Sequence, residues 1–127
     1  MRDSLRLLLA FLAVAVIPAC GLDSGATTNP PQFNGLTNAL PGTSAGEVIL
    51  SWSPATDTTG DPISYNIYLS YGGPGTENLS TVYASTPSTT GITLTGLTSH
   101  NSASIIVQAQ NSGGTDGNTI EFTVTVP

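Results

Sequence analysis

The chain has 127 residues, of which 8 % are charged, and a formal net charge of −6. Both basic residues, Arg2 and Arg6, lie at the N-terminus, so no later side chain except the one histidine can neutralise a phosphate. Because nucleic-acid binding depends on such cations, the sequence predicts no nucleic-acid partner. The low charge content also argues against charge-driven disorder.

The first twenty residues have the parts of an export signal. The two arginines form a short basic region, residues 7–17 are all apolar, and Ile17-Pro18-Ala19-Cys20 follows. A spanning helix needs roughly 20 apolar residues, so this stretch is too short for an ordinary transmembrane anchor. The last four residues resemble the lipobox of bacterial lipoproteins. Residues 1–19 are therefore predicted to be a lipoprotein signal peptide, the alternative being a simple secretory signal with an incidental cysteine.

Cys20, the only cysteine, is the predicted lipidation site. A lipid there implies attachment to a membrane of the bacterial cell envelope. Gly21 follows in place of the aspartate that retains some lipoproteins at the inner membrane, which favours the outer membrane, at its periplasmic face or the cell surface. Residues 20–31 are small, polar and aperiodic, and they predict a flexible tether. Residues 32–127 are expected to form one domain.

Short alternating segments separated by Gly, Pro, Asn and Ser fill the rest of the chain and predict an all-β sandwich. Seven strands and no helix are expected. The predicted strands are 32–36, 47–52, 64–70, 81–84, 91–95, 102–109 and 119–126. The alternation directs these side chains inward: Phe33, Val48, Leu50, Trp52, Tyr65, Ile67, Leu69, Ile92, Leu94, Ala103, Ile105, Val107, Ala109, Ile120, Phe122, Val124 and Val126.

Two blocks of residues resemble the fibronectin type III domain. In the first, Trp52-Ser53-Pro54-Ala55 precedes a strand with Tyr65, and the second block comprises Leu97, Ile105, Val107, Ala109, Asn111 and Gly113. The resemblance covers residues 31–127 and implies a seven-stranded, immunoglobulin-like sandwich. That family carries a tyrosine at the position of Ala103. We expect Phe33 or Tyr83 to fill the space beside this alanine.

Three aspartates lie in loops that share one end of such a sandwich. Asp57 and Asp61 follow the Trp52 strand, and Asp116 lies in the last hairpin loop. If the three converge, their oxygens suit Ca²⁺, the only cofactor for which the sequence offers any support. The alternative is that they serve only as turn residues.

A second candidate site is a contact face. Tyr68 and Ile106 are predicted to point outward on neighbouring strands, with Tyr71 nearby, and exposed residues of this kind can form an interaction patch. Scattered surface apolar residues are the alternative.

Catalytic residues are not predicted. His100 is the only histidine, lies in a predicted turn and has no acid, cysteine or second histidine beside it in sequence. No nucleophile elbow or phosphate-binding loop is present either. The sequence therefore predicts a non-enzymatic, lipid-anchored binding module that contacts an envelope protein or glycan. A structural subunit or spacer of an envelope or cell-surface complex is the alternative.

Overall fold

Alternating strands build two antiparallel sheets in the part of the chain that the structure, a computed structural model, describes, residues 28–127. Cys20 and its signal lie outside the described residues. The strands are β1 Leu36–Pro41, β2 Val48–Trp52, β3 Ser64–Ser70, β4 Ala84–Thr86, β5 Gly91–Leu94, β6 Ser102–Asn111, β7 Gly114–Thr115 and β8 Glu121–Thr125. Residues 28–127 contain no helix, and therefore none that would cross a membrane.

The sheets have the order β1-β2-β5 and β4-β3-β6, with β7 and β8 both pairing with β6. Their facing sides enclose one apolar core, in which Val48, Ile67 and Val107 have no exposed surface. Burying a side chain of this size contributes roughly 1.5–3 kcal/mol. The predicted all-β sandwich is confirmed, and an eighth strand, the two-residue β7, joins the seven expected.

The first strand departs from its predicted position. Instead of residues 32–36, the strand is Leu36–Pro41, and Gln32 forms only an isolated bridge with Thr56. Gly35 separates the two pieces with a φ of +85°, a value that an extended strand does not have. Phe33 still packs against the core from its position before the strand.

Further departures concern the fourth and the last of the predicted strands. The predicted strand 81–84 lies at Ala84–Thr86, because the chain returns to the sheet edge only at that point. Ile120, predicted to point inward, is 46 % exposed since β8 begins one residue later, at Glu121. Phe122 and the buried Val124 and Val126 keep the predicted alternation.

The alanine at the family's tyrosine position is fully buried opposite Val124. Neither expected aromatic fills the space beside it. Phe33 packs edge-on against Tyr65, with ring centroids 5.3 Å apart, at the other end of β6. Tyr83 is 47 % exposed. The expectation that one of these rings replaces the missing tyrosine is therefore wrong.

The long pairing of β3 with β6 determines which side chains lie next to each other on the outer face of the five-stranded sheet. Seven residue pairs run from Ser64 opposite Gln110 to Ser70 opposite Ser104. Within this ladder Tyr68 lies opposite Ile106, and Ile106 in turn lies opposite Glu121 on β8. Directly opposed residues point to the same face. Tyr68, Ile106 and Glu121 therefore form one row on the outer face, which we call the outer row.

Candidate functional site

The predicted contact face is not a surface patch. Tyr68 is 3 % exposed and Ile106 is 5 % exposed, although both point away from the sandwich core. Tyr71 is 42 % exposed, and its hydroxyl accepts a hydrogen bond from the amide of Thr98 at 3.0 Å. The prediction that Tyr68 and Ile106 are available for contact is therefore wrong, because another part of the chain lies over the row they form.

Residues 72–80, which we call the strap, connect β3 to β4 by way of the outer face. The Gly75 amide donates a hydrogen bond to Glu121 Oε2 at 2.8 Å, two strands away from β3. The chain then returns to the opposite edge, where the Tyr83 amide donates to the Ile67 carbonyl at 2.8 Å. Because these two contacts lie on opposite sides of β3, the strap must cross the outer row.

Near its origin the strap is fixed by hydroxyl groups. The hydroxyls of Ser70 and Thr76 lie 2.6 Å apart, and the Thr76 hydroxyl also donates to the Gly73 carbonyl at 2.6 Å. The Gly72 amide donates to Ser70 Oγ at 3.0 Å. These bonds turn the chain back over the sheet directly after β3.

Two carboxyl groups meet beneath the strap. Burial, together with the charge of Glu121, raises the pKa of Glu77 above its usual value of 4.5. Glu77 and Glu121 lie within hydrogen-bonding reach, and a bond between two carboxyls requires a proton on one of them. Oε1 of Glu77 is buried and has no donor. The arrangement therefore favours a proton on Glu77.

Three large apolar side chains are exposed at the end of the strap and in the residues that join it to β4. Leu79 is 41 % exposed, Val82 44 % and Tyr83 47 %, and we call them the edge surface. The bond from the Tyr83 amide continues the β3–β4 ladder, which places Tyr83 beside Tyr68 at the edge of the five-stranded sheet. Sequence reasoning missed this surface because the segment does not alternate and its end was assigned to a strand.

The outer face of the three-stranded sheet carries a smaller apolar pair. Leu40 and Ile49 lie directly opposite each other on β1 and β2, and they are 50 % and 37 % exposed. They have no aromatic partner in the pairings of that sheet, which makes them a useful reference for the edge surface.

The three aspartates do not converge. Among residues 28–127 no three side chains of His, Cys, Asp or Glu come close enough to hold a metal ion. Asp57 accepts bonds from the Thr59 amide at 3.1 Å and from the Asp61 amide at 2.6 Å. The Thr59 amide is the main reason why the pKa of Asp57 lies below 3.8. The predicted convergence is therefore wrong, because these oxygens cap turns.

The other two carboxylates connect loops. Asp61 accepts hydrogen bonds from the amide and hydroxyl of Ser112, so the loop after β2 is joined to the turn after β6. Asp116 accepts from the Ala109 amide at 2.8 Å and from the side chain of Asn118 at 2.7 Å. Both groups therefore hold the end of the sandwich together.

His100 lies in the turn before β6, as predicted. Its φ is +64°, and its amide donates to the Val126 carbonyl at 2.8 Å. A histidine tolerates this left-handed conformation better than bulky or β-branched residues do. The residue is thus a backbone element of the turn.

Comparison with known proteins agrees with the two-sheet order. The family model for the fibronectin type III domain matches residues 29–125. No curated protein matches the chain in sequence.

Solved structures share the fold. The twitchin kinase region from C. elegans is 22 % identical with a TM-score of 0.58, over 80 % of this chain and 17 % of that one. An Fn3-like protein from Clostridium thermocellum is 24 % identical with a TM-score of 0.55, over 80 % and 93 %. FN3tt is 21 % identical with a TM-score of 0.52, over 80 % and 100 %.

These likenesses concern the fold alone, and this chain spans only about a sixth of the twitchin region. Domains with this fold generally serve as non-catalytic binding or structural modules. The chain belongs to the fibronectin type III family.

Proposed function

We propose that the protein is a lipid-anchored fibronectin type III module of the bacterial envelope that contacts a protein or glycan without catalysing a reaction. The anchor is inferred from the apolar residues 7–17 and the lipobox ending at Cys20. The observation that carries the binding role is the edge surface, where three large apolar side chains are exposed within five residues.

An exposed aromatic with aliphatic neighbours is a suitable centre for a contact. Tyrosine is enriched at the cores of interfaces because its ring buries much area and its hydroxyl can still bond. Residues 28–127 contain no Lys or Arg. Apart from any made by His100, an ion pair with a partner would therefore join a carboxylate of this domain to a cation of the partner.

The proposed tether would present the edge surface away from its attachment point. The Asn111 side chain donates to the Asn29 carbonyl at 2.8 Å, so the N-terminal segment joins the domain beside the turn after β6. Ser64 begins β3 near that end, and Tyr68 lies four residues further along, about 13 Å away at ~3.3 Å per residue. Tyr83, beside Tyr68, is therefore displaced from the end that the tether would approach.

The anchor is tested by mass spectrometry of the protein produced in a bacterium. We expect a mature chain that begins at an acylated Cys20, and Cys20→Ser should leave the protein unacylated. An unmodified thiol in the wild type, or cleavage elsewhere, would contradict the anchor.

The contact is tested by crosslinking in intact envelopes. Tyr83→Ser should abolish crosslinking to the partner, whereas Ile49→Ser, on the other sheet, should preserve it. If both variants keep one stoichiometric complex, the edge surface is not the contact and the structural-subunit alternative is favoured.

A further inference from the structure

The strap lies over the outer row and is joined to it by few hydrogen bonds. Tyr68 and Ile106 are almost fully buried beneath it, while the bond from Gly75 fastens it to Glu121 on β8. Seven of its nine residues are exposed. A segment with so few buried residues belongs to the low-stability parts of a fold. Opening it would uncover the outer row without breaking the β3–β6 ladder.

Two acidic side chains meet where the strap is bonded to β8. Glu77 of the strap faces Glu121 of β8, and Oε1 of Glu77 is buried without a donor. The other titratable groups around the strap are the phenols of Tyr68, Tyr71 and Tyr83. β6 contributes the apolar Ile106 to the row.

A compensating cation is absent from the described residues near this pair. Residues 28–127 contain no Lys or Arg, and their one histidine, His100, precedes β6. Ile106 lies six residues beyond His100, a separation of about 20 Å at ~3.3 Å per residue. No Lys or Arg of residues 28–127 therefore offsets the repulsion between the two carboxylates, which a proton or separation would relieve.

We propose that the strap is a proton-controlled cover, which is held closed over Tyr68 and Ile106 when the Glu77 carboxyl carries a proton and is released when Glu77 is ionised. The released state exposes the outer row next to Tyr83. This inference depends neither on the lipid anchor nor on the partner proposed above.

The direction of the effect follows from the raised pKa of Glu77. A carboxyl whose pKa is higher in the closed state stabilises that state fully below its ordinary value of 4.5. The stabilisation is lost as the pH rises through the raised pKa. Closure is therefore favoured in acid, and opening becomes easier toward neutral pH.

Hydrogen exchange of the Gly75 amide in the full-length protein, purified in detergent, tests the proposal. After correction for the intrinsic rate, protection should fall between pH 4.5 and pH 7, about tenfold for each unit by which the pKa of Glu77 exceeds 4.5. Amides of β2 should keep their protection, because only the strap opens.

Glu77→Gln supplies a permanent N–H donor to Glu121 and should make the protection of Gly75 independent of pH. Glu121→Gln should flatten the profile as well. Glu47→Gln, whose carboxyl accepts from the Thr43 amide in another loop, is the matched control and should behave like the wild type. A flat wild-type profile, an unchanged profile in both Glu77→Gln and Glu121→Gln, or a parallel loss of protection in β2 would each overturn the proposal.

Discussion

Tyr71 accepts a hydrogen bond from the backbone amide of Thr98 at 3.0 Å, which connects the end of β3 to the turn before β6. In the fibronectin-type sandwich a tyrosine of the sixth strand usually holds this turn through its hydroxyl. Here that position is Ala103, and the phenol comes from a different strand. A second hydrogen bond also holds this turn: the Leu97 amide donates to the Gly46 carbonyl at 3.0 Å.

Tyr71→Phe tests the contribution of this bond. The ring and its packing are kept and only the hydroxyl is lost, so we expect the free energy of unfolding to fall by about 1 kcal/mol, the usual net value of one hydrogen bond. Tyr83→Phe is the matched control and should change stability by less than about 0.5 kcal/mol, as an exposed substitution does. Urea unfolding measures both, and equal losses would mean that the bond to Thr98 contributes nothing specific.

A tyrosine introduced at position 103 should not hold the turn before β6 as the tyrosine of the family does. Ala103 is fully buried and faces Val124, so a larger side chain would have to displace packed neighbours. Ala103→Tyr should therefore destabilise the domain by about 1–3 kcal/mol through overpacking. Thermal unfolding of this variant gives the answer, and a raised Tm would show that the turn lacks its phenol after all.

The inner faces of the sandwich were predictable because burial imposes a period of two. β3 lies at Ser64–Ser70, as predicted, and Ala103, Ile105 and Val107 on β6 point into the core as the alternation requires. Ile120 was misplaced because the same alternation continues past the end of the strand. Pattern alone does not say where hydrogen bonding begins.

The outer face could not be predicted from the same pattern. Alternation correctly directs Tyr68 and Ile106 away from the core, but exposure also depends on the path of the loop that follows β3. That path is fixed by the contact between Gly75 and Glu121, which are 46 residues apart in sequence. The position of Tyr71 has the same cause, since its partner Thr98 lies in a turn that only the folded topology brings near.

Gly91 should be intolerant of any side chain. It begins β5 with a φ of +155°, and a Cβ there would overlap the Leu50 carbonyl oxygen of β2. Gly96 is a matched control because its φ is +75° and a Cβ would meet no atom within 4 Å. Gly96→Ala should cost about 1–2 kcal/mol of backbone strain. Gly91→Ala should cost at least about 2 kcal/mol more in urea unfolding, and similar losses would contradict the overlap.

Asp57 should titrate below its ordinary value of 3.8, because the Thr59 amide, the Thr59 hydroxyl and the Asp61 amide all donate to its carboxylate. Carboxyl-carbon NMR measures this pKa directly. Thr59→Val removes the hydroxyl and leaves both amides, so the pKa should rise part of the way toward 3.8. Thr58→Val, at the exposed neighbouring position, should leave it unchanged.

The pKa direction also fixes how this loop responds to acid. A lowered pKa stabilises the folded loop above pH 3.8, and the effect is lost as the pH falls through the pKa of the folded state. Acidification should therefore close the strap at Glu77 between pH 7 and pH 4.5 and release the loop at Asp57 only below pH 3.8. Amide exchange should slow at Gly75 in the first range and accelerate at Thr59 in the second. Exchange that accelerates at both positions on acidification would show that one global transition governs them.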